Sequence, residues 1–192
     1  MLELFQKGGP VMWLIAATGA CALGVFLERI VYYHRISIHT GDFLRGLANL
    51  IDRGNLSEAL EECATLSGPV ARVAHSVLLQ YKAPPEEIRA TASEAAQLEV
   101  AKLEKNLRLL SAMILTAPLL GLLGTALGML DVFQQLSIQG GITTSSDLAM
   151  GMYQSLITTA AALCVCIPAY LAHCLLSARV DQFIREMELA GI

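Results

Sequence analysis

Thr125, Gln154, Ser155, Thr158 and Thr159 are the side chains best placed to do chemistry, because each is polar and lies in or beside a stretch otherwise without charge. In lipid, an unpartnered hydroxyl or amide costs a few kcal/mol. These groups therefore either hydrogen-bond between helices or face water, and a water-facing set can guide an ion. Ser and Thr can also bond the carbonyls of their own helix, so both readings stand. His173 could titrate near neutrality and pass a proton. It lies six residues before Arg179, where a histidine anchored at an interface is the plainer reading. Cys164 and Cys166, two apart on a helix, point to different faces, which favours small apolar packing over a soft-metal pair. With Cys21 and Cys174 also in apolar runs and Cys63 in a charged segment, no disulfide framework is expected. There is no phosphate loop, no zinc-type His/Glu cluster and no nucleophile with a base beside it. No enzyme, metal or cofactor is expected.

The elements that must position these groups follow from composition. The chain has 192 residues, 55% hydrophobic and only 16% charged, where a soluble domain carries roughly a quarter charged. Of its 30 charges, 21 fall between Glu28 and Arg108. Net charge is -4, so there is no basic surface for nucleic acid. The uncharged runs Gly8–Leu27, Leu109–Leu130 and Leu148–Ala178 hold 20, 22 and 31 residues. At about 1.5 Å per residue each can cross a hydrocarbon core of about 30 Å, and they are too long and continuous for barrel strands. The first run follows a single lysine, Lys7, which is a poor basic region for a signal peptide.

An all-α membrane protein with three spanning helices is expected. Ten basic residues lie between the first and second runs, two follow the third, one precedes the first, and none separates the second from the third. Loops rich in Lys and Arg stay cytoplasmic, so the N-terminus faces outward and the C-terminus inward, most simply in a bacterial inner membrane. The expected division is 1–34 (outer N-terminus and first span), 35–108 (cytoplasmic helical domain), 109–133 (second span), 134–147 (outer loop), 148–177 (third span) and 178–192 (cytoplasmic helical tail). Within the cytoplasmic part, Phe43, Leu44, Leu47, Leu50 and Ile51 predict a helix over 42–52 that Arg53-Gly54-Asn55 stops. Ser57 opens a short helix through Cys63, with Glu58, Glu61 and Glu62 on its wet side. A third runs over 69–81, until Ala83-Pro84-Pro85 breaks it. From Glu86 no breaker occurs before Pro118, and Ile88, Ala92, Ala95, Leu98, Leu103 and Leu107 recur at helical spacing, so one long helix enters the membrane. Its charges, Glu99 among them, read as a solvated face with local ion pairs. Arg29, Arg35 and Arg108 read as headgroup-level anchors in membrane lipid.

Small residues on the last two spans form stripes. Ala117, Gly121, Gly124, Gly128 and Asp131 recur at steps of 4, 3, 4 and 3. Gly151, Ser155, Thr159, Ala162, Cys166, Ala169 and His173 recur at steps of 4, 4, 3, 4, 3 and 4. Two such faces pack closely on each other or line a shared lumen.

Residues 117–129, APLLGLLGTALGM, resemble the second-span motif of the ExbB, TolQ and MotA proton-channel family, and residues 151–168, GMYQSLITTAAALCVCIP, resemble its third-span motif. Glu28-Arg29 after the first span and the deduced topology also fit. The length and three spans look like the ExbB branch. The resemblance implies a homopentameric ring around the single helices of an ExbD-like partner. That partner carries a membrane aspartate, and a TonB-like protein transmits the work to outer-membrane transport. A TolQ-like motor for envelope maintenance and a non-conducting scaffold are the alternatives. By the motif, Thr125 and Thr159 line the ion path, with Gln154, Ser155 and Thr158 beside them. Gly121, Gly124, Gly128 and Gly151 pack helices, and Pro118 matches a hinge proline. The chain departs from the motif at Gln154, where many members have glutamate. A glutamine cannot ionise, so either the partner's aspartate suffices or the subunit conducts poorly.

Overall fold

The computed structural model describes residues 9–37, 40–66, 68–138 and 145–190. Every regular element among them is a helix: α1 Gly9–Ser37, α2 Thr40–Asp52, α3 Leu56–Thr65, α4 Pro69–Leu79, α5 Pro85–Ile138 and α6 Ser145–Ala190. Three of these, α1, α5 and α6, are long and apolar enough to cross a membrane. The continuity expected of α5 holds over 54 residues. It starts at a proline in the first helical position, where the missing N–H costs nothing. Pro118 lies inside it and Pro168 inside α6.

The chain divides into two units. The first comprises residues up to Phe26 together with Arg108–Cys174. In it, Val11 and Ile15 of α1 pack against Ala162 of α6, with Leu120, Ala161 and Val165 around them. Large apolar side chains such as Trp13, Leu115, Leu119, Leu122, Leu156 and Leu171 point outward, more than half exposed. A surface of this kind is stable only against lipid or further protein.

The second unit comprises Leu27–Leu107 and the stretch from Leu175 onward. Here α2, α3 and α4 share a core of Phe43, Leu47, Ala59, Cys63, Ala71, Ala74 and Leu78. The predicted stop at the end of α2 is a Schellman turn. Gly54, at φ +75°, donates to the Ile51 carbonyl at 2.9 Å, and Asn55 donates to that of Leu50 at 3.1 Å. The start of α3 is one residue earlier than Ser57 predicts. Asn55 holds the cap position, and its side-chain amide donates to the Glu58 carboxylate at 3.3 Å instead of capping a backbone N–H.

The face assigned to the first half of α5 also needs correcting. Leu98 is 63% exposed and Glu99 is 5% exposed, so the acid occupies the buried register with Ala92, Leu103, Leu107 and Leu110. Arg72 of α4 meets Glu99 at 2.6 Å and Lys102 meets it at 2.7 Å. Burial alone would raise the Glu99 carboxyl, but the hydrogen bonds from Arg72 and Lys102 outweigh it and hold the group below its ordinary range. Arg29 is likewise buried. Its guanidinium lies over the Tyr32 and Tyr33 rings at 5.2 and 5.9 Å. The Tyr33 hydroxyl donates to the Leu103 carbonyl at 3.0 Å, and its ring meets Phe183 edge-on.

Candidate functional site

The polar groups singled out by the sequence gather where α5 packs on α6. In lipid the hydrophobic effect between helices is absent, so close backbone approach over small residues holds such a pair. The approach here leaves no room for side chains. A Cβ on Gly121 would lie 2.7 Å from the Ala162 methyl, and one on Gly124 would lie 2.6 Å from the Thr158 hydroxyl. One on Gly128 would run into the Ser155 hydroxyl, and one on Gly151 into Val132. All four packing glycines therefore belong to this seam. Ala117 continues it at one end, at 1% exposure. At the other end Asp131 is exposed and Val132 takes the buried position instead.

Hydroxyls stitch the seam. Thr159 Oγ1 donates to the Gly121 carbonyl at 3.2 Å, and Ser155 Oγ reaches that of Thr125 at 3.5 Å. Ser155 also bonds the Gly151 carbonyl of its own helix at 2.9 Å, and Thr158 bonds that of Ser155 at 2.8 Å. Ser155 and Thr158 are 4% and 2% exposed, enclosed between the helices. Thr125 and Thr159 differ, being only partly buried on neighbouring helices. The Thr125 hydroxyl bonds back to Leu122 at 2.7 Å. The Thr159 hydroxyl thus ties the two helices together, and the Thr125 hydroxyl closes on its own helix.

Gln154 is brought to a third helix. Its amide nitrogen lies 3.3 Å from where a side chain on Gly9 would begin, and Gly9 has the left-handed φ of +67°. His173 is partly buried on α6. Cys164 is exposed, whereas the Cys166 thiol donates to the Ile114 carbonyl of α5 at 3.4 Å. Sequence periodicity placed Cys166 on the small face but not this bond. The one clue was Pro118, four residues after Ile114, which leaves that carbonyl without its helical donor.

The pair of small faces, the two partly open threonines and the three apolar helices can be compared with known proteins. The model of the MotA/TolQ/ExbB proton channel family matches residues 55–189. A biopolymer transport protein ExbB homologue of Methanothermobacter thermautotrophicus is 29% identical over 98% of this chain and 67% of its own length. A biopolymer transport protein, ExbB-like 1, of Synechocystis is 32% identical over 98% of the chain and 78% of its own length. Biopolymer transport protein exbB1 of Vibrio cholerae is 32% identical over 97% of the chain and 83% of its own length. The family match spans α3 to α6, both small-residue helices among them, so this multi-pass membrane chain belongs to the MotA/TolQ/ExbB proton channel family.

Proposed function

We propose that this chain is a ring-forming subunit of a proton-driven motor in a bacterial inner membrane. The ring is a homopentamer around an ExbD-like single-span partner, and a TonB-like protein carries its work to outer-membrane transport. The observation that carries this reading is the tight α5–α6 seam, which leaves Thr125 and Thr159 partly open on neighbouring helices while enclosing Ser155 and Thr158. The biopolymer transport named for the relatives supports transport over envelope maintenance as the output. The skewed Lys and Arg distribution supports an outward N-terminus and an inward C-terminus.

In this mechanism the partner's aspartate carries the proton, and Thr125 and Thr159 supply hydrogen bonds along its path. Neutralising a carboxylate removes the cost of holding a charge against apolar helix faces. The partner helix can then shift. Each elementary charge crossing the membrane supplies about 2.3 kcal/mol per 100 mV. Gln154 contributes an amide in place of the glutamate of many family members, so no fixed charge is needed at that position. Pro118 supplies the weak point about which α5 bends.

Valine has the shape of threonine without its hydroxyl, so Thr125→Val and Thr159→Val isolate the polar contribution. Both variants are expected to assemble normally and to lose energised transport. Normal transport in both would remove them from the ion path and leave the seam as packing alone.

A further inference from the structure

Pro118 opens α5 at one atom: lacking an N–H, it leaves the Ile114 carbonyl without its helical donor. In apolar surroundings such a carbonyl needs another partner. The thiol of Cys166, on α6, provides it at 3.4 Å. We infer that Cys166 is the latch on the Pro118 hinge, a positioning residue that ties the broken turn of α5 to α6.

The bond has its place in a series. Ser155, Thr159 and Cys166 stand 4 and 7 residues apart on α6, and their acceptors Thr125, Gly121 and Ile114 stand 4 and 7 apart in the opposite direction on α5. Cys166 is therefore the third rung of one antiparallel register. The turn it serves is weakened twice. Just before the proline, Thr116 Oγ1 bonds back to the Ala112 and Met113 carbonyls at 3.0 and 3.2 Å, a pattern that bends helices. A thiol is a weak donor, so the latch is a weak tie. A hydroxyl in its place would hold more firmly, and a methyl not at all. The inference holds whether or not the ring conducts protons, since it concerns how one subunit's helices are tied.

Two measurements on the full chain in lipid test it. The infrared S–H band lost in Cys166→Ala is expected at lower frequency than the bands lost on replacing the exposed Cys21 or Cys174. A band at the same frequency as theirs would overturn the latch. In thermal unfolding, Cys166→Ala is expected to lower the midpoint by roughly 2 °C, and Cys166→Ser to keep or raise it. In a Pro118→Ala background, where position 118 regains its own N–H, the Cys166→Ala shift should fall to less than half. An equal shift in both backgrounds would overturn the inference, and if Pro118→Ala does not fold, the S–H band alone decides.

Discussion

Single atoms decide the behaviour of the seam. Gly124→Ala would set a Cβ 2.6 Å from Thr158 Oγ1 and 2.8 Å from its Cβ, both held between helices, so the pair must separate. A loss of about 1–3 kcal/mol is expected, read as a lower unfolding midpoint in lipid. Gly24→Ala is the control, because nothing lies within 4 Å of that position, and it should leave the midpoint unchanged or higher. Glu99 gives a pH signature. Its carboxyl is held below its ordinary value near 4.5, so its contribution is complete above that value and is lost as pH falls through the lowered one. Glu99→Gln should therefore be less stable than the parent chain at neutral pH, with the gap closing in acid. The glycine stripe was legible in the sequence because helical spacing is local. The buried Glu99 was not, because the arginine that makes its burial tolerable lies 27 residues away on another helix.

At the scale of elements, local signals carried most of the fold. Gly54 stopped α2, Pro85 opened α5, and the absence of a breaker from Glu86 to Pro118 joined a charged half and an apolar half into one helix. Packing between elements was less legible. Periodicity put Leu98 inside and Glu99 outside, and the two differ by only one residue step on a helix that is charged in its first half and apolar in its second. The small α2–α4 core depends on few side chains, so its loss should be local. Phe43→Ala, at a site 5% exposed, is expected to cost about 3–5 kcal/mol. Faster proteolysis within 40–66, with the three long helices still protected, is the expected readout. The Cys63 thiol belongs to this core. Burial, with the Glu62 charge second, pushes its pKa up to about 11, so in the intact core it should resist maleimide at neutral pH.

For the whole molecule, the outward-pointing leucines of α1, α5 and α6 and the partly open threonines leave a subunit whose surface calls for company. The proposed ring supplies it, with neighbouring subunits and a partner helix covering faces that one chain leaves bare. Three apolar helices and the family were legible from charge segregation and from two motifs, since both are properties of one strand of sequence. The count of subunits and the partner's chemistry lie on surfaces of other chains, and no spacing within this sequence encodes them. The most direct test of the motor assignment is the mass and composition of the complex released gently from its native membrane by a C-terminal tag. Five copies holding a single-span protein with a membrane aspartate are the expected result. A different oligomer without such a partner, or one bound only to cytoplasmic protein, would contradict the assignment and leave Thr125 and Thr159 as packing residues.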